Sequence, residues 1–535
     1  MHHRSNPVLD ADWPDPDAIR IGDDYWMIAS SFNRAPGLPV LHSRNLVDWE
    51  HVTNALPALV PAEHYSLPRR GSGVWAPSLR EHHGTFYITY PDPDHGIFVL
   101  DAPHPAGPWS APRLLLAGRG LIDPCPLWDE DGRTYLVHGW ARSRAGVKNR
   151  ISLLEVSSDL TTARSCSQTI IDGDDLPGMV TLEGPKAYLH NGWYWIYAPA
   201  GGVADGYQVV FRSREVHGPY EHRIVLEQDT TAVNGPHQGA LVDDVHGRWW
   251  FLHFQDRGVF GRVTHAQPVR FDEEGWPHMG ESIDEVRGRP VAVVPPLDPD
   301  ADTASPDLYT EPLRSDDFST PQLHPRWHWQ ANPAAHRWRT GEGTVDLTFA
   351  PSPRGDLRDL GAVLGQQLPG QPSQWSVDLH LPPPSHGPVG TERTGLVVLG
   401  HSYAWAGLRR DEDGIALVHA TMAQDESDEE THTHQQLSTD PAADVTVVLH
   451  ADVDAAGRIT LSASRTRTRE TESDRHRMLH EQEQVLLEQW QATKGHWIGA
   501  EIGLFATAGS MVDHPLHERS ARFGPVTVRR EGRQI

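Results

Sequence analysis

The chain has 535 residues, more than one hydrophobic core normally organises, so the length predicts at least two domains. Its formal net charge of −26 argues against nucleic acids and anionic membrane surfaces as partners, because both require basic patches. No apolar run approaches the ~20 residues that span a bilayer, residues 1–7 lack an apolar signal core, and only Cys125 and Cys166 are present, so we expect a cytoplasmic protein.

Five runs rich in aromatic and β-branched residues recur in the first 290 residues, each directly after a glycine. They read "GDDYWMIAS" from Gly22, "GTFYITY" from Gly84, "GRTYLVHGW" from Gly132, "GWYWIYAPA" from Gly192 and "GRWWFLHF" from Gly247. Their spacing of about 50 to 60 residues is typical of propeller blades. Each unit also holds further strand-like runs, which gives about four strands per unit. The repeats therefore predict a five-bladed β-propeller, and they favour it over a β-sandwich with repetitive turns, which does not need five similar units.

The second half of the chain predicts a different all-β architecture. A Pro- and Asp-rich stretch follows the last repeat, and beyond it come the runs "GTVDLTF", "QWSVDLHL", "TGLVVLG", "DVTVVLH", "ITLSAS" and "EIGLFATA". Their alternation and spacing predict a β-sandwich. We therefore expect a propeller over residues 1–295, a linker over 296–312 and a sandwich over 313–535. The charge-dense stretches 424–430 and 465–477 are expected to be solvated loops.

Alignment of the five repeats on their glycines brings polar residues to one position. That position lies seven to ten residues before each glycine and holds Asp15, Trp75, Asp123, Glu183 and His237. Successive blades of a propeller place equivalent positions on a ring around its axis, so these side chains should converge on one central cavity. Taken singly, each has an ordinary explanation, such as an acid in an Asp-Pro turn or a buried histidine. As a matched set they predict a functional site.

Clustered carboxyl groups of this kind suit the hydrolysis of glycosidic bonds. That reaction uses two carboxyl groups on either side of the bond, and a third raises the pKa of the acid by like-charge repulsion. Trp75 and Phe32 would offer apolar faces to a sugar ring. Asp17, Asp23 and Asp24 are expected to be ordinary turn and surface acids. No metalloenzyme spacing, phosphate-binding loop or serine nucleophile motif competes with this interpretation.

Several of these stretches together resemble glycoside hydrolase family 43, especially its two-domain β-xylosidases and α-L-arabinofuranosidases. They are "NPVLDADWPDPDAIRIGDDYW", "SSFNRAPGLPVLHSRNLVDWE", "GVWAPSLREHHGTFY", "GLIDPCPLWDEDGRTYLVHGW", "TLEGPKAYLHNGWYWIYAPAGG", "GPHQGALV" and "FGRVTHAQPV", and they cover roughly residues 6 to 280. As an ordered set they are specific, whereas any one of them is weak. The region from "DDFSTPQLHPRWHWQANP" onward resembles the accessory domain of that family.

The resemblance implies a role for each matching residue. Asp15 would be the general base that activates water, Glu183 the general acid, and Asp123 the group that raises the pKa of Glu183 and orients it. The family inverts the anomeric configuration, which implies about 6.5 to 9.5 Å between the Asp15 and Glu183 carboxyl groups. Positions lining the sugar pocket in the family match a further set: Phe32, Trp75, His237 and Arg262.

The resemblance also sets expectations for partners and cofactors. The substrate would be a small plant-polysaccharide oligosaccharide, with no nucleic acid or membrane partner and no prediction for the oligomeric state. No cofactor is required, although some relatives hold a calcium ion near the axial histidine, here His237. Some relatives also close the pocket with an aromatic residue from the C-terminal domain. In this chain "AGSMVDHPLHERSARF" is the stretch where that residue is expected.

Three functions are compatible with these residues. The leading one is an exo-glycosidase that releases terminal β-D-xylosyl or α-L-arabinofuranosyl units, and the choice between these two sugars stays open. The alternatives are a carbohydrate-binding propeller without catalysis and an endo-acting arabinan hydrolase. All three acids, Asp15, Asp123 and Glu183, are present, which favours catalysis. A retaining, sucrose- or fructan-active propeller is disfavoured because its Asn-Asp-Pro-Asn-Gly motif is replaced here by Pro-Asp-Pro-Asp.

Overall fold

A computed structural model describes residues 4–295, 314–352, 354–384, 390–425, 430–465, 484–509, 519–530 and 533–534. The chain forms two compact units. Of the described residues, the first unit holds 4–60, 69–257 and 261–295, and the second holds 61–68, 258–260 and those from 314 onward. The predicted linker 296–312 lies outside the described residues, so the three domain bounds stay a prediction. Within the described ranges, no helix is long and apolar enough to cross a membrane.

Among the described residues, the first unit consists of short strands with one short α-helix, α1 (Arg142–Ala145), and a 3₁₀ turn at Gly173–Asp175, whereas the 3₁₀ turns at His64–Ser66 and Gly258–Phe260 belong to the second unit. Its strands in chain order are β1 (Arg4–Ser5), β2 (Asp17–Ile21), β3 (Asp24–Ile28), β4 (Gly37–Ser43), β5 (Glu50–Leu56), β6 (Ser78–His82), β7 (Thr85–Asp92), β8 (Gly96–Ala102), β9 (Arg113–Ala117), β10 (Leu121–Trp128), β11 (Thr134–Trp140), β12 (Arg150–Val156), β13 (Gln168–Asp172), β14 (Lys186–His190), β15 (Trp193–Ala200), β16 (Tyr207–Ser213), β17 (Glu221–Leu226), β18 (His237–Asp243), β19 (Trp249–Asp256), β20 (Arg262–Phe271), β21 (Pro277–Met279), β22 (Glu281–Ser282), β23 (Gly288–Arg289) and β24 (Val293–Val294).

Five sets of four antiparallel strands form the blades, while β1 and β24 pair separately, and the five-bladed propeller is confirmed. The blades are β2–β5, β6–β9, β10–β13, β14–β17 and β18–β21, each in sequential order, with β23 and β22 added to the outer edge of the fourth. The five repeat glycines lie in the turns that open the second strand of each blade. All have a left-handed backbone, which glycine adopts at no steric cost: Gly22 at φ 62°, Gly84 at 79°, Gly132 at 85°, Gly192 at 67° and Gly247 at 74°.

Hydrogen bonds join each blade to the next and close the ring. Arg80 of the second blade donates to Asp17 of the first at 2.7 Å, and Thr89 of the second donates to the Pro124 carbonyl of the third at 3.1 Å. The Ala187 N–H of the fourth blade donates to Cys125 Sγ of the third at 3.2 Å, and the Leu241 N–H of the fifth donates to the Tyr188 hydroxyl of the fourth at 3.0 Å. Arg20 of the first blade donates to Asp243 of the fifth at 2.6 Å. The N-terminal segment adds a backbone bond from Val8 to the Thr264 carbonyl of β20. The first and last blades are therefore tied together twice.

Asp17 is a buried ion-pair partner and not the surface acid expected from the sequence. Its side chain has no exposed surface, and its Oδ2 accepts hydrogen bonds from Arg80 Nη1 at 2.7 Å and the Leu79 N–H at 2.8 Å. Lys186 Nζ lies 3.7 Å from the same oxygen and donates to Ser78 Oγ and the Pro77 carbonyl. Two cations from the second and fourth blades therefore share one carboxylate from the first, a partnership that the local sequence around Asp17 does not show.

The second unit is a β-sandwich of two large sheets, also with 3₁₀ turns at Ala335–Arg337 and Leu357–Asp359. Its strands are β25 (His328–Trp329), β26 (Trp338–Gly341), β27 (Thr344–Thr348), β28 (Ala350–Pro351), β29 (Val363–Gln367), β30 (Ser373–Leu381), β31 (Glu392–Leu399), β32 (Tyr403–Asp411), β33 (Gly414–Met422), β34 (Thr431–Ser438), β35 (Val445–Val453), β36 (Arg458–Arg465), β37 (Gln484–Gln491), β38 (Glu501–Ala508), β39 (Ser520–Arg530) and β40 (Arg533–Gln534).

The two sheets follow from the alternation seen in the sequence. One runs β25-β29-β38-β31-β32-β33-β34 and the other β26-β27-β39-β30-β35-β36-β37, with β28 and β40 attached at the sides. In β30, every second side chain is buried, among them Trp375, Val377 and Leu379. They pack against residues of the facing sheet such as Val398 and Ile502. The predicted sandwich is thus confirmed, and all six strand-like runs lie within strands.

The ion pair at Asp17 generates a stability prediction. Asp17→Ala leaves Arg80 and Lys186 buried without a counter-charge, and removing one partner of a buried pair costs about 3–5 kcal/mol. We expect a loss of that size in urea unfolding followed by tryptophan fluorescence. The control is Asp243→Ala, which breaks the more exposed Arg20 pair and should cost less than about 1 kcal/mol. Equal losses in the two variants would show that the Asp17 network contributes no more than a surface pair.

Candidate active site

The structure places all five aligned residues at the beginning of the innermost strand of their blades. Asp15 lies two residues before β2, Trp75 three before β6, Asp123 within β10, Glu183 three before β14, and His237 opens β18. Among the described residues these positions come from five separate sheets. The closed ring therefore brings together side chains that are up to 222 residues apart in the sequence.

Asp15 is a buried carboxylate with a fixed orientation. It is 4% exposed, and its backbone is left-handed, with φ 53°. Its Oδ1 accepts a hydrogen bond from Arg262 Nη1 at 2.8 Å, and its Oδ2 accepts one from Ser30 Oγ at 2.5 Å. The Ser30 N–H also donates to the Pro14 carbonyl. An arginine from the fifth blade and a serine from the first thus hold the two oxygens.

Arg262 is itself fixed by aromatic and acidic neighbours. Its guanidinium lies 4.9 Å from the Phe254 ring centre and 5.8 Å from that of Phe32. Its backbone N–H donates to Asp12 Oδ1, and Asp12 forms a buried ion pair with Arg34 at 2.8 Å. A cation that lies beside aromatic rings and away from water interacts more strongly with a nearby carboxylate, because the local dielectric is low. Asp12, Arg34 and Ser30 therefore support the Asp15–Arg262 pair.

Asp123 connects the third and fourth blades at the backbone beside Glu183. Its φ is 55°, and the register of β10 against β11 shifts at this point. Its Oδ2 accepts a hydrogen bond from the Gly184 N–H at 2.8 Å. A Cβ at Gly139 would lie 3.5 Å from that same oxygen and 3.7 Å from the Glu183 Cα. The carboxyl group of Asp123 and the backbone of Glu183 thus both lie close to Gly139, which leaves space for them because it has no side chain.

Glu183 is the carboxyl group most suited to hold a proton near neutral pH. Burial raises its pKa to about 8, and the Asp123 charge adds to the rise. Arg262 and Lys148 oppose the shift, and Asp15 supports it. The pKa of Asp123 is raised too, chiefly by burial, while the Gly184 N–H bond opposes that rise. The Asp123 charge thus disfavours ionisation of Glu183, and the pKa of each of the two carboxyl groups is held above its ordinary value.

Phe32 and Trp75 form an aromatic wall. Their ring centres lie 6.2 Å apart, and the Arg144 guanidinium lies 5.6 Å from the Trp75 ring centre. Phe32 pairs with Val74 through an isolated β-bridge and has a left-handed backbone, with φ 50°. The left-handed backbone of a bulky residue is strained, and strain of this kind concentrates at binding sites.

His237 is buried and neutral. Burial lowers its pKa to about 4. Its Nδ1 lies 2.5 Å from the Gly235 carbonyl and therefore carries the proton, which leaves Nε2 as an acceptor. That Nε2 has no hydrogen-bond partner among the described residues.

Within the same part of the chain, no group of three or more His, Cys, Asp or Glu side chains could hold a metal ion. Calcium prefers several oxygen ligands, so one imidazole nitrogen does not define a calcium site.

The sequence singled out seven site residues, and the contacts link six of them in two groups. In the first group, Arg262 pairs with Asp15 and lies against Phe32, and the Phe32 ring contacts Trp75. In the second, Asp123 accepts a hydrogen bond from the backbone beside Glu183. His237 lies 5.0 Å from Phe254, the second aromatic ring beside Arg262. Sequence reasoning missed Ser30, Arg34, Lys148, Asn149 and Lys186. Ser30 and Arg34, in "SSFNRAP", and Lys186, in "EGPK", stand inside stretches that could have pointed to them, whereas Lys148 and Asn149 do not.

The fold and the cluster of carboxyl groups, in which Asp15 and Asp123 are buried and Glu183 is half-buried, together define a carbohydrate-cleaving enzyme, a glycoside hydrolase. The chain belongs to glycoside hydrolase family 43, since the family model "Glycosyl hydrolases family 43" matches residues 4–277. A second model, "Beta xylosidase C-terminal Concanavalin A-like domain", matches residues 315–517. Both units of the chain therefore match known domains, and its substrate is a carbohydrate.

The most similar relatives include xylosidases and arabinofuranosidases. A protein of Xylanibacter ruminicola, described provisionally as a beta-xylosidase, is 36% identical over 403 residues, covering 74% of this chain and 72% of the relative. A non-reducing end alpha-L-arabinofuranosidase of Bacteroides ovatus is 30% identical, covering 69% and 67%. The solved xylan beta-1,4-xylosidase of Bacillus halodurans C-125 superposes with a TM-score of 0.78 at 23% identity, covering 98% of this chain and 99% of that one, which shows a shared fold.

The charges around Glu183 generate a prediction about its pKa. Lys148 Nζ lies 3.4 Å from Thr181 Oγ1, two residues from Glu183, and its charge lowers the pKa of that group. Lys148→Met should therefore raise the pKa of Glu183 further, whereas Lys148→Arg keeps the charge and should leave it near the wild-type value. Titration of the ¹³C-labelled glutamate carboxyl resonances, assigned with Glu183→Gln, measures the shift. A fall of the Glu183 pKa in Lys148→Met would contradict the assigned electrostatics.

Proposed function

We propose that the protein is an inverting exo-glycosidase that releases terminal β-D-xylosyl or α-L-arabinofuranosyl units from oligosaccharides derived from plant polysaccharides. One observation carries this proposal: an ion-paired carboxylate, Asp15, shares a ring of inner-strand positions with a carboxyl of raised pKa, Glu183. Inversion needs one charged and one protonated carboxyl group on opposite sides of the scissile bond. The names of the xylosidase and arabinofuranosidase relatives support the choice of sugars.

Asp15 is the general base in this proposal. Arg262 Nη1 donates a hydrogen bond to its Oδ1 at 2.8 Å, and Ser30 Oγ donates one to its Oδ2. A carboxylate held in this way accepts a proton from water as the water attacks the anomeric carbon. The pair with Arg262 also prevents the carboxylate from turning away, so base and water keep the alignment that the displacement requires.

Glu183 is the general acid. Burial and the neighbouring Asp123 raise its pKa to about 8, so it holds a proton at neutral pH and can give it to the leaving oxygen. Asp123 acts through Glu183 in two ways: its charge favours the protonated acid, and its bond to the Gly184 N–H fixes the backbone beside it. The leaving group departs as a neutral alcohol, and the proton that Asp15 takes from water balances the one Glu183 gives.

The same proposal covers the pocket, the cofactor and the compartment. Phe32 and Trp75 are the apolar faces for a sugar ring, and Arg262 and His237 offer polar contacts to its hydroxyl groups. The reaction requires water and carboxyl groups, and we propose no cofactor. The free thiols of Cys125, buried, and Cys166, exposed, are consistent with a reducing, cytoplasmic location.

Variants of the two carboxyl groups test the roles. Asp15→Ala and Glu183→Ala should each lower kcat on an oligosaccharide by about 10²- to 10⁴-fold, the usual contribution of an acid or base. Glu183→Ala should retain much more activity on a dinitrophenyl glycoside, whose leaving group needs no protonation, and Asp15→Ala should not. Circular dichroism verifies that both variants fold. Near wild-type rates on the oligosaccharide in either folded variant would refute the assignment.

One experiment tests the sugar and the stereochemistry together. Xylobiose and an arabinofuranosyl-xylobiose are hydrolysed inside the spectrometer, and proton NMR records the first product before it mutarotates. We expect a single terminal sugar with the inverted anomer, α-xylose or β-arabinofuranose. Release of the retained anomer would overturn the role of Asp15 as a base. An arabinan oligosaccharide is the third substrate, and cleavage of its internal bonds with no sugar released from the other two would replace the exo reaction by an endo one.

A further inference from the structure

Asn149 is a buried residue of the third blade whose side chain contacts the segment that carries Glu183. It lies directly before β12, is 5% exposed and has a left-handed backbone, with φ 66°. Its Oδ1 accepts a hydrogen bond from the Leu182 N–H at 2.7 Å. Leu182 directly precedes Glu183, so this bond joins the third blade to the backbone of the proposed acid.

The amide of Asn149 has one possible orientation. Its Nδ2 donates to Asp174 Oδ1 at 2.8 Å, and a carboxylate only accepts, while the Leu182 N–H only donates. The backbone carbonyl of Asn149 also accepts a hydrogen bond from the Gly173 N–H at 2.8 Å. A Cβ at Gly173 would lie 2.6 Å from Asn149 Oδ1, so any side chain there would displace the amide. Gly173 thus leaves the space that the amide occupies.

The segment from Thr181 to Gly184 needs such external contacts. Thr181 and Gly184 have φ values of 56° and 61°, and the segment lies outside the strands on either side. A left-handed β-branched residue is strained and persists only where its surroundings fix it. Three hydrogen bonds do so: Leu182 N–H to Asn149, Glu183 N–H to the Pro199 carbonyl at 3.2 Å, and Gly184 N–H to Asp123.

We propose that Asn149 is a positioning residue for general-acid catalysis, because it fixes the backbone at Leu182 so that the Glu183 carboxyl meets the leaving oxygen. The inference rests on the proposed role of Glu183. It names a function for a side chain that itself carries no charge and that no repeat position predicts. A displaced acid should slow the release of poor leaving groups, which need the proton, and spare good ones, which do not.

Asn149→Ala is the first test, with two substrates of the sugar that the enzyme accepts. We expect kcat/KM on the disaccharide to fall about 10- to 100-fold, and kcat/KM on the dinitrophenyl glycoside to change by less than about 3-fold. Gly173→Ala should give the same selective loss, because its methyl group displaces the amide. Asn45→Ala is the matched control: Asn45 also accepts backbone N–H bonds, from Val47 and Asp48, but in the β4–β5 turn at the outer part of the first blade.

A rescue experiment separates positioning from general stability. Asn149→Asp keeps an oxygen that accepts the Leu182 N–H, but its second oxygen then faces the Asp174 carboxylate, and the two negative groups repel each other. Asp174→Asn, added to Asn149→Asp, replaces that carboxylate by an amide that can donate to the new aspartate. We expect disaccharide hydrolysis to fall in the single variant and to recover at least partly in the double variant. This pair gives the answer even where Asn149→Ala does not fold.

Equal losses on both substrates, or no recovery in the double variant, would overturn the inference. Glu183→Ala, measured on the same two substrates, separates this failure from failure of the proposed function. If Glu183→Ala shows the leaving-group dependence and the Asn149 variants do not, Glu183 is the acid and Asn149 does not position it. If Glu183→Ala itself lacks that dependence, the proposed acid is wrong and the inference about Asn149 falls with it.

Discussion

Closure of the propeller ring is the constraint on which the site depends. It forces carboxyl groups from the first, third and fourth blades onto neighbouring inner-strand positions, where their charges repel and burial penalises ionisation. The protein offsets this cost in two ways. Arg262 pairs with Asp15, and the raised pKa values of Asp123 and Glu183 favour the uncharged forms of these two groups. The electrostatic arrangement that acid–base catalysis requires is therefore also one that allows the ring to close.

Several residues at or beside the proposed site have a left-handed backbone. Asp15, Phe32, Asp123 and Thr181 all have φ values between 50° and 56°, and each lies at or beside a proposed site residue. Such conformations turn a side chain out of the regular pleat and cost free energy, so the surroundings must fix them. Here the fixing groups belong to other elements: Ser30 for Asp15, Val74 for Phe32, and Asn149 for the segment at Thr181.

Sequence reasoning recovered the architecture and the identity of the aligned residues, because both are written in local patterns. The glycines and the aromatic runs mark each blade, and counting back from them finds Asp15, Asp123 and Glu183. It was wrong about Asp17, an aspartate two residues from Asp15. The two side chains have different partners, since Arg80 and Lys186 face Asp17 while Arg262 pairs with Asp15. The stretch 508–523, where an aromatic residue that closes the pocket is expected, falls largely on residues 510–518, outside the described part of the chain, and its Phe523 lies in β39 and is buried in the core of the sandwich.

The sequence by itself determined the strands, their grouping into five blades and a sandwich, and the register that places one aligned residue in each blade. These properties depend on periodicity and turn chemistry, which act between neighbours in the chain. The tertiary structure alone decided which acid is ion-paired, which carboxyl groups have a raised pKa and which polar groups contact them. Arg262 lies 247 residues from Asp15, and Asn149 lies 33 from Leu182. Charge state and orientation are set by burial and by partners across the ring, and no local pattern encodes either of them.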